Sequence, residues 1–193
     1  ERDDLVTNAR AAVGDLLVLT KPLGTGIISL ANQLGKASAE AIDAIGSSMS
    51  TLNRAASEIM VRHGATACTD VTGFGLAGHA GEIATNSGVT IELDVGSLPI
   101  LPGAVELLRL NCKTRASRTN REFAARSLRV NDGVDAELAE FAFDPQTSGG
   151  LLIALDPGEA AEVVERAREG GAFSAAVVGR VTEKQDAQLV IRP

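Results

Sequence analysis

The sequence predicts a single α/β domain in which small helices pack against a sheet, and three observations lead to that expectation. Twice, a short apolar run ends in a glycine turn that opens onto an apolar pattern of helical spacing, which is the strand-to-helix unit of an α/β fold. The chain's 193 residues are 45% hydrophobic, enough to close one substantial core but short for two. Trp and Tyr are absent and Phe occurs five times, so the core is built from Ala, Val, Leu and Ile, which suits close packing of helices on a sheet.

The charged ERDD at residues 1–4 opens the chain without a methionine and leads toward a strand, as in a piece of a longer protein. Residues 16–20, centred on Val18, read as a buried strand that stops at Lys21-Pro22, where proline removes a backbone donor. After the PLGTG turn, Ile27, Ile28, Leu30, Ala31 and Leu34 recur at helical spacing, with Gly35 as terminator. One continuous helix is expected over 48–63, with Met49, Leu52, Ala56, Ile59 and Met60 on its apolar face and Asn53, Arg54, Ser57 and Glu58 on the other. Residues 66–71 form the next strand, which Gly73-Phe74-Gly75 turns into a helix through Leu76, Ala80, Ile83 and Ala84 to a stop at Ser87-Gly88. The alternating 89–93 predicts a half-exposed strand.

A loop over 97–103, holding Pro99 and Pro102, leads into a short helix with Val105, Leu107 and Leu108. Residues 111–131 carry a poor pattern and read as irregular structure or a mobile loop, with a short helix over 120–126 as the alternative. A helix over 134–141 precedes the polar turn DPQTSGG and the strand 151–155. Asp156 suits an N-cap, Pro157 the first helical position, and Glu159 lies three residues after the cap. The following helix therefore turns Ala160, Val163, Val164 and Ala167 inward and ends at Gly170-Gly171. Residues 175–181 and 188–191 make two final strands, joined as a hairpin through 182–187.

A net charge of -7 argues against affinity gained by neutralising nucleic-acid phosphates. Cys68 and Cys112 lack both disulfide-framework and zinc-ligand spacing, so a reducing cytoplasm is expected. No apolar run approaches the ~20 residues that span a bilayer, so no membrane association is expected.

Three glycine-rich polar segments stand out at 20–26, 69–79 and 144–150. Glycines at strand ends let the backbone approach an anion, and amides at a following helix N-terminus favour negative charge; equally, Gly and Pro simply punctuate turns. Asp70, at a strand end beside Thr69 and Thr72, is either a ligand to a hard cation shared with phosphate oxygens or a turn-forming aspartate. Lys21 is either a phosphate contact or a solvated strand-end lysine. His79 reads as a packing residue before a proton carrier, His63 as a helix-end residue, and Cys68 as a buried hydrophobe before a nucleophile. Lys113, Arg115, Arg118, Arg121 and Arg126 form a locally basic tract. The GxxxxGK[ST], dinucleotide, GxSxG and HExxH motifs are absent from the sequence.

Taken together and in this order, LTKPLGTGI at 19–27, ACTDVTGFGLAGH at 67–79 and DPQTSGGLL at 144–152 resemble the signature segments of selenophosphate synthetases. LNRAA at 52–56 and LPILPGA at 98–104 extend the resemblance over nearly the whole chain. It implies the C-terminal domain of the aminoimidazole ribonucleotide synthetase-like fold, an α/β sandwich with a mixed sheet covered by helices. It also implies an enzyme that converts ATP, selenide and water into selenophosphate, AMP and orthophosphate with Mg2+, supplying selenium for selenocysteine and modified tRNA. The alternatives are an aminoimidazole ribonucleotide or hydrogenase-maturation type synthetase, or a stand-alone interaction domain.

In that family the N-terminal half carries the reactive cysteine or selenocysteine, its lysine and several metal-binding aspartates. None of those motifs occurs in these residues. The expected partners are accordingly that N-terminal half, ATP and selenide, with a homodimeric parent and no nucleic acid, and the chain alone is expected to be inactive. The metal-associated aspartate of TDVTGFG carries over onto Asp70. Lys21, Thr25, Thr69 and Asn120 carry over as nucleotide-side residues, with His79 near them. Ala116-Ser117-Arg118-Thr119 replaces the glycine-containing stretch that family members show before the asparagine matched by Asn120.

Overall fold

In the computed structural model, which describes residues 5–172 and 174–193, the apolar runs become a seven-stranded mixed sheet with helices on both faces. In chain order the strands are β1 (Leu16–Leu19), β2 (Ala67–Asp70), β3 (Thr90–Asp94), β4 (Leu128–Val130), β5 (Leu151–Leu155), β6 (Ala176–Thr182) and β7 (Leu189–Arg192). The helices are α1 (Thr25–Gln33), α2 (Ala39–Ser50), α3 (Arg54–Arg62), α4 (Gly75–Ser87), α5 (Ala104–Arg109), α6 (Arg115–Ala124), α7 (Ala136–Phe141) and α8 (Pro157–Glu169). The charged segment 1–4 lies outside the described residues.

The sheet order is β2-β5-β1-β6-β3-β7-β4. β5 pairs antiparallel with β2 and β1, β6 pairs antiparallel with β1 and β3, and β7 lies parallel between β3 and β4. Alternation along the central strands sends side chains to two cores. Leu17, Leu19, Leu152 and Ala154 join the larger core with Ile27, Ile28, Leu76 and Phe141. Val18, Ile153 and Leu155 join the smaller one with Ala56 and Met60 of α3 and Ala160 and Val163 of α8. β5 is therefore buried on both faces, which is why it reads as an unbroken apolar run.

Local signals act where they were expected. Asp156 caps α8 by accepting from the Gly158 amide, with Pro157 in the first turn, and Gly88 ends α4 in the left-handed region at φ 69.

Four expectations are corrected. The single helix over 48–63 is two, α2 and α3, because Thr51 leaves the helix with extended backbone at ψ 124. β3 is not half-exposed: Glu92 is buried, and its carboxylate is met by Arg180 Nε at 2.9 Å and Arg192 Nη1 at 2.8 Å from the flanking strands. Burial works to raise the Glu92 pKa, yet the hydrogen bonds and attraction from both guanidiniums hold it below the ordinary carboxylate value. Residues 111–131 are not an irregular loop: they form α6, whose second half falls within the alternative helix over 120–126, and β4, with Thr114 capping α6 by accepting from the Ser117 amide. β6 and β7 are not a hairpin, because β3 lies between them.

Candidate active site

Sheet register gathers the three glycine-rich segments at one end. β1 and β2 both run antiparallel to β5, with Leu19 opposite Leu152 and Asp70 opposite Leu151. The exits of β1 and β2 and the entry to β5 therefore coincide. Segments far apart in sequence become neighbours through strand pairing alone.

The contacts among them are close. Thr20 Oγ1 accepts from the Leu151 amide at 2.8 Å, the Val71 amide donates to Gly150 O at 2.8 Å, and the Gln146 amide donates to Thr72 O at 3.0 Å. Gly149 and Gly150 thread between the other two chains. A Cβ at 149 would collide with the Val71 carbonyl and one at 150 with the Lys21 amide, so the SGG run is a steric requirement of three backbones meeting.

The N-terminus of α1 is satisfied from within the protein. Gln146 Oε1 accepts from the Gly24 amide at 3.2 Å, the Thr25 amide at 3.3 Å and Thr25 Oγ1 at 3.1 Å. Asp144 Oδ2 accepts from the Gly26 amide and from Gln146 Nε2, both at 3.0 Å. The positive helix end, which from sequence could have met a phosphate, is met by a side-chain carboxylate. Asp144 is fully buried, its Oδ1 has no hydrogen-bond partner, and among the described residues no cation pairs with it. Burial pushes its pKa up to about 7, against the lowering effect of Gln146, the Gly26 and Ile27 amides and Ser117.

Lys21 is 5% exposed, and its Nζ donates to Thr51 O at 2.6 Å and Ser148 O at 2.8 Å, with burial lowering its pKa. It clasps the end of α2 to the third segment and borders a cavity of about 210 Å3 that Ser47, Ser48 and Thr51 also line. Thr25 Oγ1 additionally accepts from the Thr147 amide at 2.9 Å. Asn120 Nδ2 donates to Gly73 O at 2.9 Å and Phe143 O at 3.1 Å, tying α6 to the second and third segments. His79 is buried, with Nε2 3.0 Å from Thr72 Oγ1 and Nδ1 3.2 Å from Glu82 Oε2.

Asp70 differs from all of these. It is the exposed last residue of β2, beside the partly exposed Thr69, whose Oγ1 donates to Asp70 O at 3.3 Å. The structure thus brings Lys21, Thr25, Thr69, Asp70, Asn120 and His79 to one end of the sheet. It leaves Asp70 as the carboxylate presented outward and uses Lys21, Thr25 and Asn120 to join loops.

Cys68, buried in β2, has its thiol pushed up to about 12 by burial and by the Asp70 charge, and Cys112 is likewise buried. The basic tract is largely paired. Lys113 and Arg121 meet Glu140 Oε2 and Oε1 at 3.1 and 2.5 Å, and Arg118 lies 3.8 Å from Glu122.

Asp144, Gln146 and Asn53, whose Nδ2 donates to Gly149 O at 2.9 Å, are the site residues that sequence reasoning passed over. Their available signal was polar side chains flanking a glycine pair that must be held by something.

Comparison with known proteins adds relatives. A family model described as AIR synthase related protein, C-terminal domain, matches residues 12–192. Among curated proteins, the selenide, water dikinase of Caldanaerobacter subterraneus subsp. tengcongensis is 41% identical over 190 residues, covering 98% of this chain and 55% of the relative. That of Porphyromonas gingivalis is 40% identical over 190 residues, covering 98% and 54%. The chain spans about half the length of the curated relatives it matches.

Among solved structures, hydrogenase maturation protein HypE in complex with ATP superposes with a TM-score of 0.68 at 21% identity, covering 98% of this chain and 50% of that one. Thiamine monophosphate kinase from Aquifex aeolicus gives 0.60 at 18%, covering 96% and 52%. At these identities the two structures establish a common fold. Among the described residues, no helix is long and apolar enough to cross a membrane.

Proposed function

Since the chain belongs to the AIR synthase related protein C-terminal domain family, we propose that it is the C-terminal portion of a cytoplasmic selenide, water dikinase. Such an enzyme makes selenophosphate, AMP and orthophosphate from selenide, ATP and water. The observation that carries the reading is the convergence of the three glycine-rich segments on one end of the sheet, in a chain 41% identical over 98% of its length to a protein of that name.

Asp70 is the proposed metal-facing carboxylate. Magnesium is usually held by one or two carboxylates together with phosphate oxygens and water, so an exposed carboxylate beside a threonine hydroxyl fits a shared ion. Bound there, Mg2+ neutralises polyphosphate charge. Thr69 stands beside it on the nucleotide side. Lys21, Thr25 and Asn120 serve the nucleotide through the loops they join, keeping the backbone of the second and third segments in fixed relation to Asp70. Phosphoryl transfer depends mainly on positioning and charge neutralisation, so rigid loops around one carboxylate are what this half has to contribute. The remaining ligands and the reactive cysteine or selenocysteine come, in this reading, from the N-terminal half of a homodimeric parent.

The test is Asp70→Asn in the full-length parent, followed as selenide-dependent AMP formation against Mg2+ concentration. A loss of at least tenfold in turnover with a raised Mg2+ requirement is expected, and an unchanged Mg2+ dependence overturns the role of Asp70. Calorimetric titration of residues 1–193 with MgATP is expected to give neither tight binding nor turnover. A parent inert toward selenide but active on another substrate favours the hydrogenase-maturation or aminoimidazole ribonucleotide type instead.

A further inference from the structure

We propose that His63, Glu159 and Glu162 form a site for a divalent transition-metal ion of the zinc class, at the end of the sheet opposite the glycine-rich segments. Their placement follows from topology. His63 is the C-cap of α3 and precedes β2, whereas Glu159 and Glu162 lie on α8, which follows β5. Because Ala67 at the start of β2 pairs with Ala154 near the end of β5, the two crossovers meet at the far end of those strands.

One candidate ligand atom from each of the three side chains lies within 4.8 Å of the others, and His63 Nδ1 is 2.7 Å from Glu159 Oε2. No other such group of three occurs among the described residues. The imidazole is largely covered, with 19% of its side chain exposed, while the carboxylates are 47% and 53% exposed. The ring is thus held by packing, and the carboxylates are free to adjust to an entering ion.

The chemistry selects the ion class. Zinc takes imidazole nitrogen and carboxylate oxygen at about 2.0–2.2 Å, so a triangle of this size closes by small rotations of two half-exposed glutamates. Imidazole nitrogen suits zinc and its neighbours, whereas magnesium prefers oxygen donors throughout. Two carboxylates balance a divalent charge; the negative end of the α3 dipole favours a cation at His63, while the positive end of α8, in whose first turn Glu159 lies, opposes it. In the metal-free site the Nδ1 proton is donated to Glu159; on binding it passes to water while the neutral ring takes its proton at Nε2, so the Nδ1 lone pair is free for the metal and water would complete the coordination. The Arg166 guanidinium, whose Nε lies 3.5 Å from Glu162 Oε1, competes with the ion. The ion would bridge α3 and α8 on one face of the sheet, independently of the proposed phosphotransfer chemistry.

The test is titration of chelator-treated protein with ZnCl2 by calorimetry and with Co2+ by visible absorption. One ion per chain is expected, with Co2+ bands of a nitrogen-and-oxygen site. His63→Gln and Glu162→Gln should each weaken Zn2+ binding by more than the roughly 10–100-fold typical of groups that merely support a ligand. Arg166→Ala should strengthen it. Unchanged far-UV circular dichroism verifies that the variants fold, and should H63Q not fold, E162Q decides. Failure to take up either ion overturns the proposal, as does uptake that both substitutions leave intact.

Discussion

Titration of the buried Asp144 should make this domain less stable as pH rises through neutrality, and Asp144→Asn should abolish that trend. Its folded-state pKa of about 7 lies above the ordinary 3.8. The folded chain therefore holds a proton that the unfolded chain releases between those two values. With fewer protons bound in the unfolded state, unfolding free energy falls as pH rises across that window. The penalty is negligible below pH 3.8 and fully developed above about 7.

Integrating between pH 5 and pH 8 with these two constants gives a relative loss of roughly 2–3 kcal/mol for the native sequence. An asparagine keeps the shape, and its oxygen can accept from the Gly26 amide and Gln146 Nε2. Its NH2 takes the place of the Oδ1 hydroxyl that the protonated acid already holds without a partner, so the exchange adds little cost at pH 5. The asparagine form should thus be close to the native form in stability at pH 5 and should gain on it by roughly 2–3 kcal/mol on going to pH 8. Urea unfolding of both proteins across pH 5 to 8, followed by circular dichroism, measures the difference. Parallel profiles would refute the view that burial dominates at Asp144.

Other perturbations follow from the same contacts. Gly26→Ala should lower stability by about 1–3 kcal/mol in urea titrations, since its Cβ would sit 2.6 Å from Asp144 Oδ1 and 2.8 Å from Pro145 O. Asn120→Ala leaves the Gly73 and Phe143 carbonyls without that donor and should speed hydrogen exchange in 71–75 while costing about 1–3 kcal/mol. With its thiol pushed up to about 12, Cys68 should stay unreactive to a disulfide reagent at pH 8 until the chain unfolds; rapid labelling of the native protein would contradict its burial.

What could be read from the sequence was whatever local chemistry decides. β5 is an apolar run and α8 begins with a capping aspartate and a proline, so both were visible with their boundaries. The break between α2 and α3 was not, because the groups that hold it act from afar: Lys21 takes the Thr51 carbonyl, and Asn53 reaches Gly149. Of α6 only its second half was legible, as the alternative helix over 120–126, because its buried residues are only Ser117 and Ala124, and much of its attachment comes from Asn120 and the Arg121–Glu140 pair. The separation of β6 from β7 depends on β3, which lies far back in the sequence, and no short window contains that information. At the site, the three segments were recognisable as a set. That Asp144 and Gln146 would fill the end of α1 required knowing which loop packs on which helix.

The placement of β7 bears on how the chain is made. The ribosome delivers this strand after the other six, yet β3 and β4 both pair with it. Until it arrives, β4 lacks its neighbour in the sheet and β3 presents a bare side to other nascent chains. Such a bare edge is the feature that recruits chaperones or seeds aggregation. Slowing translation just before codon 189 should therefore lower soluble yield relative to synthesis without that pause.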